Sequence, residues 1–361
     1  MWSNRYAGCL VNVYVVLLIK IFKSDIKMGK KVILTIESVY TANAFQVGSA
    51  YYIAAGSETK PQVFLYNLST GESSLVTGCP GGVMSFVPVP GNNNSFFSIM
   101  GLFPPFIGAD AGVFMHTRKE NQWTTVKTME LPFAHRCEVL NRNEKNYLFA
   151  ASVSKYKENP PDWSKPGEVH LVELDENPEI PLKSVVIDNN LTRNHGMIKT
   201  RINGKEVVCI SGREGIFCFK FKNGDWVKKQ LFDHEVSEFW FIDLDGDGQD
   251  ELVTIEPFHG EKLNVYKRIH NNWQLKYSDS LYFGHGLSAG FVNSEPVIVV
   301  GNRSESLALV QYKVVDFAKG KISREVLEEG VGPTQTMVFT DGNTDYILSA
   351  NQKKNEVVLY Y

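Results

Sequence analysis

The chain lacks the sequence signatures of several large reaction classes. It has no P-loop, no Rossmann glycine fingerprint, no GxSxG and no HExxH. Cysteine is scarce, at five in 361 residues, and no two are spaced as CxxC. An odd, irregular set excludes a disulfide framework and a cysteine zinc site, and it suits a reducing, cytoplasmic compartment. Cys209 and Cys218 lie in strand-like apolar runs and read as buried thiols. A dominant charge is missing as well. The net charge is -3, so no basic field favours nucleic acid or an anionic membrane.

Long apolar runs are nearly absent. The stretch from Tyr6 to Phe22 is interrupted by Asn12 and Lys20. It is short for a span of roughly 20 residues. No A-x-A-like cleavage site follows it, and Lys20, Lys23 and Lys27 come at its far end. Met28 then opens MGKKVILTIE, a strand with a polar start. We expect Met28 to be the natural start and residues 1–27 to be an upstream extension. The alternative is an uncleaved anchor or signal; the protein would then be exported or membrane-associated.

Aromatic residues and glycine are well represented. Aromatics make up 12% of the chain and there are 29 glycines, a balance that favours strands and tight turns over helices. Self-similarity is the stronger signal. Four segments, starting at Asn194, Ser237, Gly284 and Gly332, share one pattern: strand, polar turn, apolar strand, Gly- or Asn-containing loop, alternating strand. Their turns are Asn203-Gly204, Asp247-Gly248, Asn293-Ser294 and Asp341-Gly342, which suit hairpins. Looser copies cover Ala42 to Thr77, Gly81 to Glu130 and Phe133 to Asp188. Seven units of roughly 40–60 residues are the period of propeller blades.

The ends agree with a ring. The seventh unit stops after its third strand, while Lys30 to Ile36 is a strand with no place in the first unit. Pairing the two would remove two open sheet edges. The expected fold is therefore all-β: residues 28–361 as a single seven-bladed β-propeller, with the N-terminal strand closing the last blade.

In a four-stranded blade, the connection leading into the innermost strand and the loop between the second and third strands open on one end of the central channel. The first set carries His135 with Arg136, His195, Glu238, His285, and Gln335 with Thr334. The second carries Lys155, Arg213, Glu256 with His259, Asn302 with Arg303, and Asn351 with Gln352. Four of the eight histidines thus fall on one rim. Imidazoles there can bind a metal or move protons. We expect His135, His195, His259, His285 and Glu238 as catalytic candidates, with His195, His259 and His285 holding zinc or a similar ion. Arg213, Arg303, Lys155, Trp163, Gln335 and Asn351 are the substrate-binding candidates, the arginines as planar forks and Trp163 as a stacking surface for a sugar ring. Glycine after His195, His259 and His285 would let a ligand or another strand come close. The bland alternative is a set of structural histidines and loop-fixing salt bridges. The apolar loop Gly101 to Gly108 would cover the pocket or pack on a partner.

A separate acidic loop places Asp243, Asp245, Asp247 and Asp250 around glycines. Oxygen ligands at that spacing can wrap calcium, and a tight turn held by Asx bonds is the other reading. The loop joins the first two strands of its blade and so faces away from the pocket.

The segment from Asp243 to Glu251 resembles the FG-GAP/VCBS repeat of integrin-type propellers. Together with His135-Arg136, Asn194-His195-Gly196, Pro257-Phe258-His259-Gly260, Gly284-His285-Gly286 and Ser349-Ala350-Asn351, the chain is similar over most of residues 30–361 to the aldos-2-ulose dehydratase propeller. The resemblance implies dehydration or isomerisation of a keto- or anhydro-sugar, with a metal ion in the propeller. The chain departs from that enzyme in lacking its extra domains. Our leading expectation is a carbohydrate-active lyase or isomerase with a small sugar or glycan as partner. The rival is a non-catalytic FG-GAP/VCBS-like propeller that binds a glycan or protein through the same rim.

Overall fold

The computed structural model describes residues 28–361, apart from 48–49, 93, 104–107, 121, 160–161 and 176–179. The expected N-terminal extension and the centre of the apolar loop at Gly101–Gly108 lie outside the described residues. Among the described residues no helix is long and apolar enough to cross a membrane.

Seven four-stranded antiparallel sheets form a seven-bladed propeller. The innermost strands are Val39–Val47, Ser85–Pro88, Ala134–Arg142, Met197–Ile202, Glu238–Ile242, Gly284–Val292 and Pro333–Thr340. Six blades run inner to outer in chain order. The seventh takes Asp345–Asn351 and Glu356–Tyr360 from the C-terminal end and its outer strand, Lys30–Thr35, from the N-terminal end.

That closing pair is antiparallel, with Lys30 opposite Tyr360 and Thr35 opposite Glu356. Gly29 and Tyr361 exchange backbone hydrogen bonds of 2.6 and 3.0 Å beyond it. Ile36 N donates to Asn355 O at 2.8 Å, and Lys30 Nζ pairs with Glu328 at 2.7 Å. The inward side chains Leu34 and Ile36 join a core cluster with Leu348 and Leu359 of the same blade and Ile53 of the first. Closure therefore buries apolar surface between the first and last blades, as well as pairing edges.

Local chemistry explains the repeated hairpins. Asn203 and Gly204 both adopt left-handed backbone, with φ of 52° and 71°, as a two-residue turn between twisted strands requires. The second strands, buried on both faces, are short apolar runs such as Val207-Val208-Cys209-Ile210. Cys209 stands directly opposite Cys218, and both thiols are free and buried, as their apolar setting suggested. Blade 1 begins at Val39, earlier than the repeat pattern placed it, so Tyr40 lies at the start of an innermost strand.

Candidate functional site

The ring brings the following residues from five blades to one end of the axis. Tyr40, His135, His195 and His285 come from the starts of innermost strands. Glu58, Val153, His259 and Arg303 come from connections after second strands. Together with Trp163 and Phe258 they wall a cavity of about 140 Å³.

Four imidazoles form its floor. Ring centroids are 4.3 Å apart for His135 and His195, 5.0 Å for His195 and His259, 5.2 Å for His195 and His285, and 5.3 Å for His259 and His285. Their surroundings set the tautomers. His285 Nδ1 lies 2.6 Å from Thr334 O. A carbonyl only accepts, so Nδ1 carries the proton and Nε2 keeps its lone pair, which faces the Tyr40 hydroxyl at 3.1 Å. His135 Nδ1 donates to His195 O at 3.3 Å by the same reasoning. His259 stacks on Phe258 at 4.0 Å, held by a left-handed backbone of φ 51°.

His195 differs from the rest. Its Nδ1 is 2.7 Å from Glu238 Oε1, but the contact lacks the alignment of a hydrogen bond, and Nε2 has no partner. A buried imidazole nitrogen left without a hydrogen bond is costly unless something else binds there. Burial drives all four rings toward the neutral form: His259 is pushed down to about 2, and His135, His195 and His285 fall well below the usual histidine range. Positive charge on nearby Arg303 or Arg136 adds to the effect.

Neutral imidazoles offer lone pairs. One ring nitrogen from each of His195, His259 and His285 lies within 4.8 Å of the others. Carboxylate and carbonyl oxygens stand behind His195 and His285, the usual backing of metal-bound histidines. The donor set fits a divalent ion that prefers nitrogen. His135 lies behind this trio, against His195.

Glu238 is committed below the floor. Its Oε1 is 2.8 Å from Arg136 Nη2, and Arg136 also donates to His195 O and Met84 O at 3.2 and 2.9 Å. This pair separates the cavity from a second axial chamber of about 160 Å³. Glu138, Lys199, Trp240 and Gln335 line that chamber. Gln335 thus lies on the channel, held by Ala42 N and Asn43 rather than at the rim.

Trp163 and Arg303 reach the cavity wall; Lys155, Arg213 and Asn351 do not. Lys155 is drawn outward to Glu168 at 2.8 Å. Arg213 is exposed. Asn351 turns into its own blade, accepting from Ser349 Oγ at 2.6 Å and donating to the Tyr360 hydroxyl at 3.3 Å. Asn302 accepts from Tyr282 N at 2.8 Å and caps a loop. Glu256 is occupied by the hydroxyls of Thr254 and Tyr266.

The glycines after the histidines serve chain packing. A Cβ on Gly196 would come within 2.8 Å of Ser237 O, on Gly286 within 3.1 Å of Gln335 Cα, and on Gly260 within 2.2 Å of Glu256 O.

The acidic loop is satisfied by the chain itself. Asp243 accepts from the backbone of Gly246, Asp247 and Gly248. The Lys267 ammonium sits among Asp245, Asp247 and Glu251 at 2.5, 2.8 and 3.2 Å. Asp243, Asp245 and Asp247 are grouped closely enough to share a cation, and Asp250 lies outside that group.

Tyr40 and Glu58 are wall residues that the sequence did not single out, and Phe258 was noted only as part of the Pro257–Gly260 motif. Tyr40 lies before the apparent start of the first repeat. Glu58 follows a second strand at the same topological position as Arg303, a signal hidden by the irregularity of that repeat. No protein-family model matches the chain, and no curated protein matches it.

Proposed function

We propose that the axial histidines hold a divalent metal ion and that the protein is a carbohydrate-active lyase or isomerase acting on an oxidised or anhydro sugar. The observation that carries this reading is the trio His195, His259 and His285: buried, neutral, and converging within 4.8 Å, with His195 Nε2 unsatisfied. Three imidazoles leave a coordination position open, as catalytic rather than structural sites do. A metal ion bound there supplies Lewis acidity to a carbonyl oxygen.

The protein's own groups have separate parts. Glu238 and Thr334 O fix the rings of His195 and His285. Trp163 and Phe258, 5.4 Å apart, give the cavity an aromatic wall, with the Lys157 ammonium 3.0 Å over the Trp163 ring. Glu58 is the carboxylate on that wall, and burial raises its proton affinity above that of an ordinary glutamate. It is the group we assign to remove the proton alpha to the carbonyl. In a dehydration, the electrons of that C–H bond form the C=C bond as hydroxide leaves the β carbon. The leaving hydroxide takes that proton from the Glu58 carboxyl and departs as water, which returns Glu58 to its starting carboxylate. Glu238, tied to Arg136, orients rather than abstracts.

Metal analysis of the purified full chain, with His195→Ala and His285→Ala, tests the reading. One zinc or similar ion per chain is expected, lost in both variants, together with turnover of a keto- or anhydro-sugar. A chain that takes up no metal, and whose sugar binding and turnover ignore both substitutions, would sink it.

A further inference from the structure

Among the described residues that line the cavity, Arg303 is the only lysine or arginine and Glu58 the only carboxylate, while Lys157 and Arg193 stand over the Trp163 and Phe258 rings of its wall. Arg303 and Glu58 do not pair directly. Arg303 Nη2 donates to Gln352 Oε1 at 2.6 Å, and Gln352 Nε2 donates to Glu58 Oε2 at 2.8 Å. One amide thus separates the two charges and fixes both. The guanidinium carbon lies 5.8 Å from the Tyr40 ring and 5.7 Å from the Phe283 ring, so aromatic faces hold the fork in place. Among the described residues, no acceptor meets its Nε or Nη1. Arg303 lines the same cavity as His195, His259, His285 and Tyr40.

A fixed, half-buried guanidinium with an open edge is shaped for a planar carboxylate, which can accept two parallel hydrogen bonds. A neutral sugar would cover the same cation without compensating it, leaving a desolvated charge. We infer that the ligand of this cavity is an anionic sugar, a keto-acid or uronate, whose carboxylate seats on Arg303 while its carbonyl faces the histidine trio. The second half of this inference rests on the metal reading; the first half does not.

The test is calorimetric titration of the full chain, both zinc-loaded and chelator-treated, with 2-keto-gluconate and with fructose as its neutral counterpart. Wild type, Arg303→Gln and Arg303→Lys are compared, with thermal melts to confirm that each variant is folded. The keto-acid is expected to bind at least about 10-fold more tightly than fructose, with or without zinc, as a charge-assisted pair should. Arg303→Gln should abolish that preference, and Arg303→Lys should retain part of it. Equal binding of the two sugars by wild type, or a preference that survives in folded Arg303→Gln, overturns the inference and leaves the metal reading standing if zinc is bound. An Arg303-dependent preference in a chain that takes up no zinc upholds the carboxylate seat and removes the metal reading.

Discussion

His195 and Glu238 meet with Nδ1 2.7 Å from Oε1, at the level where the axial channel is divided in two. The same oxygen receives Arg136 Nη2 at 2.8 Å, with both side chains of that ion pair largely buried. One carboxylate therefore orients a buried imidazole and neutralises a guanidinium.

Glu238→Gln should affect both partners. Zinc affinity, measured by chelator competition, is expected to fall about 10- to 100-fold, the usual effect of losing the group behind a ligand. Urea unfolding should show a loss of about 3 kcal/mol, because Arg136 would be left without its counter-charge. The double change Arg136→Leu with Glu238→Leu should recover much of the stability and none of the metal affinity.

His116 predicts the behaviour in acid. It is fully buried, stacked on Phe96 at 4.4 Å, between the hydroxyls of Ser98 and Thr125 at 2.8 and 2.9 Å. Burial lowers its proton affinity to about 3 from an ordinary 6.5. Above pH 6.5 the ring is neutral folded or unfolded, so its contribution is complete. Below that, the unfolded chain takes up a proton that the folded chain refuses, and stability falls by up to about 1.4 kcal/mol per pH unit until about pH 3. Urea midpoints between pH 4 and 7.5 should show this slope, and His116→Gln should make it shallower by one proton.

Glu138 has the opposite sign. Burial in the second chamber pushes its carboxyl up to about 7 from 4.5, against the pull of Lys199. Between those values the folded state holds a proton that the unfolded state has released. Stability should therefore fall as pH rises from 4.5 to 7. Glu138→Gln should remove this component and leave the protein more stable at pH 8, by about 1–2 kcal/mol once the channel's water is allowed for. Parallel unfolding curves at pH 5 and pH 8 decide it; a variant no more stable at pH 8 than wild type counts against the assignment.

Ring closure can be probed one side chain at a time. Ile36, directly after the closing strand, is 1% exposed and packs between the first and last blades, whereas Val32 within that strand is 44% exposed. Ile36→Ala should cost about 3 kcal/mol in denaturant unfolding, and Val32→Ala should stay within about 0.5 kcal/mol. Equal costs would mean that the strand is not seated as described.

Blade number, ring closure and the rim of histidines were legible in the sequence because each depends on period. Hairpin turns recur, the last repeat lacks a strand, and the first strand has no other partner. Topology placed His135, His195, His259, His285 and Arg303 at one mouth for the same reason. It did not give side-chain direction. Asn351 occupies the correct loop, but Ser349 and the Tyr360 hydroxyl draw it into the blade. Lys155 follows a second strand as expected, and Glu168 pulls it outward. Such choices depend on a neighbour supplied by another strand, and that neighbour is invisible until the strands are paired. Tyr40 escaped for a simpler reason: the first blade begins with less regular sequence than the others, so its opening residues did not register as a strand.

The pairing of Lys30–Thr35 with the C-terminal strand also orders events during synthesis. Lys30–Thr35, made before every other strand of the propeller, finds its partner only when Glu356–Tyr360 has emerged. Until then six blades can assemble while the seventh has no outer strand, and the core shared by the first and last blades lacks Leu34, Ile36, Val357 and Leu359. Stalled nascent chains ending before Glu356 should accordingly be cut by protease within Lys30–Thr35, and released full-length chains should resist. The histidine mouth, drawn from both halves of the ring, is built on a ring that is complete only after that last stitch.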